Sequence, residues 1–290
     1  MITNNSFNII FELPLPLKEK RQFNVNFSFY RERLVKRCCN FSWKEPVHEY
    51  IEIYGNIIEA NICVTHAKQR KENISPSDRN LKIYEKMIAD GKSLTTRGMY
   101  YYARELKDNN KAVDAANAFQ SFLNTNQGWV EDNITACSEL SKCYLSQNED
   151  QRALSALFQS FIYDTPRAEI CCEIGYYFKD KKKYRQAVYW FETALRLKKP
   201  SNSWGFIRED CWGFIPSIEC AVCYDQLMEI EQAEIYNEMA AKFKPEAPSI
   251  IYNRKYFAHK KNLQSVETTM ENNEAQDNEA QDNEAMSTNI

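Results

Sequence analysis

The sequence is poor in turn formers: 290 residues carry only 7 glycines and 9 prolines. An all-β fold needs such residues at most of its reversals, so the scarcity argues for long helices instead. Long apolar runs are missing too. No stretch approaches the ~20 apolar residues of a membrane span, and the opening "MITNNSFNIIFELPLPLKEK" lacks the basic start and apolar core of a secretory signal. Neither charge dominates: 37 Lys+Arg against 40 Asp+Glu leave a net charge of −3 and a pI of about 5.8. So balanced a chain has no general attraction to nucleic acid or to an anionic membrane, and neither is expected as a partner. Cysteine is not scarce, at 10 residues, yet it forms no disulfide framework: Cys38-Cys39 and Cys171-Cys172 are adjacent pairs, and most others fall inside helical patterns. A reducing, cytoplasmic setting is expected. Cys220 and Cys223 make a lone CxxC without a second pair or a spaced histidine pair, so no metal is expected in this chain.

What the chain does have is an internal period. Ala103, Ser141, Gly175 and Ala221 are each followed twelve positions later by alanine, at Ala115, Ala153, Ala187 and Ala233. Four positions further stand Phe119, Leu157, Phe191 and Asn237. A large residue follows each small one by three positions: Leu106, Tyr144, Phe178 and Tyr224. A small residue on one helix opposite alanine on the next lets two antiparallel helices approach closely, while the large residues fill the space between successive hairpins. Pro200 and Pro245 fall where second helices must stop. This pattern resembles the tetratricopeptide repeat, most closely in "CCEIGYYFKDKKKYRQAVYWFETALRLKKP". The expected fold is mainly α, a helical solenoid of such repeats over residues 93–262.

Successive small residues are 38, 34 and 46 apart, so the last interval holds an insertion, "SNSWGFIREDCWGFIP", with two Trp-Gly-Phe-Ile copies. Its tryptophans either pack back on the helices or meet a ligand. After Pro248, "SIIYNRKYFAHKK" reads as the closing helix that a repeat array needs to cover its last apolar face. Residues 263–290, with "NEAQDNEAQDNEA", are acidic and repetitive, and a disordered tail is expected.

Ahead of the repeats the period changes. "FNVNFSFYRERLVKR", "WKEPVHEYIEI" and "NIIEANICVTHAK" read as three strands in hairpin order, and "SPSDRNLKIYEKMIADG" as a helix started by Ser77 or Asp78 and ended by Gly91. The series Tyr30-Arg31-x-Arg33, Trp43, Pro46-Val47-His48-Glu49, Thr65-His66-x-Lys68 and Asp78-Arg79-Asn80-Leu81, followed by the repeats, resembles the C-terminal part of a bacterial family-two glycosyltransferase. That family has a GT-A catalytic domain, an α/β fold that holds a nucleotide sugar through a divalent metal and a DxD motif. The resemblance implies an unmatched leader at 1–22, a β remnant of the GT-A domain at 23–72, a linker helix at 73–92, then the repeats. It also implies catalytic roles for His48 and Glu49 and substrate contacts for Arg31, Arg33 and Trp43.

No Asp-x-Asp is present. Manganese or magnesium belongs to the intact family enzyme, and the chain is expected to be inactive unless a separate donor-binding chain joins it. The alternative reading is a non-catalytic module that binds a protein or peptide. Helical spacing places Arg97, Tyr100, Arg104, Lys142, Tyr176 and Lys179 on the groove side of the first helices. That basic, aromatic lining suits an acidic or amide-rich peptide.

Overall fold

In a computed structural model, described for residues 7–10, 27–28, 34–59, 78–200 and 207–262, helices dominate. They are α1 (Arg79–Ala89), α2 (Thr96–Asp108), α3 (Ala112–Asn124), α4 (Val130–Ser146), α5 (Asp150–Gln159), α6 (Ala168–Asp180), α7 (Tyr184–Arg196), α8 (Phe214–Gln226), α9 (Ile230–Ala241) and α10 (248–262). They form two compact units: Met1–Glu173 with Lys198–Glu209, and Ile174–Leu197 with Asp210–Ile290. The fold is that of tetratricopeptide-type helical repeats, with α2/α3, α4/α5, α6/α7 and α8/α9 as successive hairpins.

The four hairpins turn in the same way. Seven residues beyond each small residue the backbone enters the left-handed region: Asn110 (φ 61°), Asn148 (60°), Lys182 (57°) and Met228 (63°). The next amide closes the turn on the large residue that follows each small one. Lys111, Glu149, Lys183 and Glu229 donate N–H to the carbonyls of Leu106, Tyr144, Phe178 and Tyr224, each at 2.9 Å. This bond satisfies a carbonyl that the helix end would leave orphaned. The same four closing residues accept from the signature alanines Ala115, Ala153, Ala187 and Ala233 at 2.9–3.0 Å. One turn geometry therefore fixes how each second helix departs from its first.

The period marks the closest packing. Ala103, Ala115, Ala153, Ala187, Ala221 and Ala233 are completely buried, as are Phe119 and Phe191. At Gly175 an added Cβ would stand 2.7 Å from the Phe191 ring, closer than carbon atoms pack. The core of the first unit runs from Leu81 through Tyr100, Phe119, Phe122 and Leu140 to Ala156. In the second unit the closing helix covers α9: Phe257 packs on Ile230 and Ala233, and Ile250 on Ala240 and Ala241.

The insertion packs back on helices where it is described. Phe214 lies against the cluster of Ala240, Ala241 and Ile250, and Lys244 sits 4.7 Å above its ring. Gly213 faces the Phe243 ring so closely that a Cβ would come within 2.3 Å. The first Trp-Gly-Phe copy, residues 204–206, lies outside the described residues, as do 263–290 and the Thr65-His66-x-Lys68 segment.

The strands differ from the three-stranded reading. β3 (Trp43–Lys44) and β4 (Tyr50–Ile51) are an antiparallel pair within one expected strand. β5 (Asn56–Glu59) pairs in parallel with β1 (Phe7–Ile10), whereas β2 (Phe27–Ser28) pairs antiparallel with β6 (Ile207–Arg208). The alternating pattern broke because Glu45 (φ 67°) and His48 (φ 56°) adopt left-handed backbone, which folds the segment on itself. The Pro-Val-His-Glu sequence is thus a bend, not the interior of a strand. At the helix that follows, Asp78 occupies the N-cap without a side-chain capping bond, and Gly91 (φ 72°) follows the C-cap as expected.

Two substitutions test this packing. Gly175→Ala should destabilise by about 1–2 kcal/mol net, because overpacking against Phe191 outweighs the better helix propensity of alanine. Lys182→Gly should stabilise by about 1 kcal/mol by relieving a side chain in the left-handed turn. Denaturant midpoints at constant slope would check both; an unchanged midpoint for Gly175→Ala would mean that the contact is not tight.

Candidate functional site

The first helices carry a ladder of charge. Acidic residues stand two positions before the small residue in three copies, at Glu139, Glu173 and Glu219. Each receives cations from side chains around it. In the first unit Lys107 of α2 bonds Glu139 of α4. Lys142 of α4 bonds the same Glu139 at 2.8 Å and Glu173 of α6 at 3.4 Å. Ser138 donates to Glu173 at 2.6 Å, and Arg208 lies 3.6 Å from it. In the second unit Lys179 meets Glu219 at 2.5 Å, and the Tyr176 hydroxyl donates to Glu219 at 3.2 Å. Burial opposes ionisation of Glu139, but Lys142 and Lys107 outweigh it and hold the carboxyl below its ordinary range.

This alters the expected basic lining. Lys142, Lys179 and Tyr176 do lie on the first-helix face, but each is matched by a glutamate. The sequence reading missed Glu139, Glu173 and Glu219. Their signal was available as a fixed offset from the small residue, but it is polar and so escaped a search for large and small apolar positions. Tyr100 does not line the face at all. It is 1% exposed, packed against Phe119 and Phe122, and burial drives its hydroxyl pKa upward. Helical spacing put it beside Arg97 and Arg104; the aromatic side chain instead filled the space between α2 and α3.

The first repeat is different. Tyr101 occupies the position that is glutamate in the other three. Arg104, one turn away, makes no hydrogen bond or ion pair among the described residues. Its guanidinium lies 5.7 and 5.5 Å from the ring centroids of Tyr100 and Tyr101. Arg97 lies 3.9 Å from Asp132 and donates to the Tyr101 hydroxyl at 3.2 Å, while its buried Nε finds no acceptor. Burial raises the Asp132 carboxyl to about 6, with Arg97 and Arg104 pulling the other way.

The bend at residues 45–50 docks on this same repeat. Glu45 bonds the hydroxyl of Thr95, whose oxygen also caps α2 by accepting from Gly98 N–H at 2.9 Å. Val47 is buried. His48 stacks on Tyr101 with ring centroids 4.2 Å apart, and its Nε2 lies 2.7 Å from Glu105 Oε1. Asn80 donates to that same oxygen at 3.0 Å. Tyr50 lies beneath Arg97, 4.6 Å from the guanidinium to the ring centroid. Glu49, the other expected catalytic residue, is exposed; of the expected substrate residues, Trp43 is 66% exposed, and Arg31 and Arg33 lie outside the described residues. His48 is therefore gathered with Glu105, Tyr101 and Asn80, while Trp43 stands open to solvent.

Among the described residues no group of three or more His, Cys, Asp or Glu side chains is arranged to hold a metal ion. Cys220 and Cys223 are buried in α8, and burial raises both thiols, Cys223 to about 12. No helix of the described residues is long and apolar enough to cross a membrane.

No protein-family model and no curated protein matches the chain. Similar solved structures are tetratricopeptide-repeat and related proteins at low identity. The chain is similar to MamA at 15% identity, covering 60% of this chain and 95% of that one, with a TM-score of 0.45. It is similar to YrrB, described as a TPR protein with an unusual peptide-binding site, at 13% identity over 63% and 86% of the two chains, TM-score 0.45. It is also similar to the C-terminal part of a TPR repeat-containing protein from Cytophaga hutchinsonii, at 15% identity over 58% and 59%, TM-score 0.47.

The elevated Asp132 gives a pH test. A carboxyl whose folded pKa exceeds its unfolded value stabilises fully below the unfolded value, and that contribution is lost as pH rises through the folded one. The stability of Asp132→Asn relative to the parent should therefore grow as pH rises from 3.8, the ordinary carboxyl value, to about 6, then level off. Thermal midpoints of both proteins across that range would show it; parallel profiles would mean that Asp132 titrates normally.

Proposed function

We propose that this chain is a non-catalytic interaction module whose first repeat binds a carboxylate-bearing peptide segment of a protein partner, with Arg104 as the anchor. One observation carries the reading. Arg97, Lys107, Lys142 and Lys179 each have a carboxylate within 4.0 Å, whereas Arg104 has none that close among the described residues: two tyrosine rings flank it, and Asp108, Asp132 and Glu139 act on it only from farther away. A half-buried guanidinium keeps most of its five donors available for a planar, bidentate acceptor. Two tyrosine rings beside it limit water competition and hold its plane. The matched ladder on α4 and α6 then supplies polar contacts without excess charge, so selectivity rests on the first repeat.

Descent from a glycosyltransferase is a separate proposal that rests on sequence resemblance. Under it His48 and Glu49 would serve catalysis, and Arg31, Arg33 and Trp43 the substrate. No observation favours sugar transfer or a donor-binding partner chain over the interaction reading.

Arg104→Ala should weaken an acidic peptide by about 10-fold to 100-fold, the ~1.5–3 kcal/mol of a charge-assisted hydrogen bond. Lys142→Ala should cost far less, because Lys142 is already committed to Glu139 and Glu173. Fluorescence anisotropy with a labelled hexaglutamate peptide would measure both. Equal affinity for Arg104→Ala and the parent, or no saturable binding by the parent, would defeat the reading.

A further inference from the structure

We infer that Arg97 is a second, masked anchor of the same site, and that the 45–50 bend is its mask; this rests on the proposed peptide-binding reading. Arg97 is held between two aromatic rings, Tyr50 from the bend at 4.6 Å and Tyr101 from α2 at 4.8 Å. His48 packs on Tyr101 as well. The bend thus adds two rings to a surface that already contains an arginine one helical turn before Tyr101 and another just after it.

The masked arginine is poorly satisfied. Its five N–H donors have one hydrogen bond, to Tyr101, plus a 3.9 Å approach to Asp132, and Nε is buried without an acceptor. A guanidinium in that state gains more from a carboxylate than from two ring faces. Tyr50 seats the 45–50 bend against Arg97, and in the proposed mask it is that segment, not the ring face itself, that keeps a peptide from the in-plane N–H edges.

The mask itself is strained. Two of its residues, Glu45 and His48, are non-glycine side chains in left-handed backbone, a conformation that disfavours the docked state. Docking involves polar contacts at Glu45 and His48, the His48 stack on Tyr101, the Tyr50 ring against Arg97 and the buried Val47 side chain. A segment whose docked backbone is strained at two residues is suited to leave when a ligand competes. With the mask seated, a partner engages Arg104 alone; with it displaced, Arg97 and Arg104 together can grip two acidic residues. The bend therefore sets a threshold of acidity that the partner must exceed.

The test uses the full chain and two readouts. First, hexaglutamate affinity is measured for the parent, Tyr50→Ala, Tyr50→Phe, Arg97→Ala and the Tyr50→Ala/Arg97→Ala double variant. Tyr50→Ala should bind at least fivefold more tightly, Tyr50→Phe like the parent, and the double variant like Arg97→Ala. Unchanged or weaker binding by Tyr50→Ala would overturn the proposal, showing the bend to be a plain cap or a brace. Second, without peptide, Arg97 modification by phenylglyoxal is followed by mass spectrometry. It should be several-fold faster in Tyr50→Ala than in the parent or Tyr50→Phe, and equal rates would overturn the mask. If hexaglutamate binds none of the proteins, the peptide-binding reading fails, and the labelling rates still decide whether Tyr50 covers Arg97.

Discussion

The close approach of paired helices is the constraint on which the rest depends. A small residue on the first helix of each hairpin and alanine on the second bring backbones near enough for Phe119, Leu157 and Phe191 to be sealed from water. The approach holds because the connecting turn is the same each time, with one left-handed residue and one amide returning to the large residue before it. A bulkier residue at Gly175 would push Phe191 aside, and with it the axis of α7. The placement of polar side chains on the first helices follows from that spacing: Lys107 reaches Glu139, and Lys142 reaches Glu173, because their helices sit at a fixed offset.

Much of this was legible in the sequence. Small and large residues at set intervals gave the hairpins and their order, since apolar burial is strongly periodic and few other patterns satisfy it. The closing helix after Pro248 was legible from its apolar spacing and from proline at its start. The left-handed turns were less so. Asn110 and Asn148 suit that conformation, but Lys182 and Met228 carry no such signal, and only alignment with the other repeats places them.

The site was harder to read. Alternation of apolar and polar residues in "WKEPVHEYIEI" pointed to a strand, yet local backbone at Glu45 and His48 overrode it, and docking on α2 supplied the compensation. Tyr100 was placed on the surface by angle, although its size made it a core residue. The glutamates of the ladder went unnoticed because the cations that reach them from another helix lie 31–40 residues away in sequence. Charge pairing between helices is a tertiary property, and composition alone reports only the sum.

The ladder also fixes an order among the repeats. Glu139, Glu173 and Glu219 each offer a carboxylate where a neighbouring cation can reach it, whereas Tyr101 offers a ring there. A lysine from a preceding repeat would find no acid in the first repeat, and His48 stacks on that ring instead. The first repeat can therefore begin the series but cannot follow another copy without leaving a cation unmatched. A shuffled chain that moved the first hairpin inward would keep every apolar contact type and still leave a lysine without its carboxylate, because the polar residues mark which hairpin stands first.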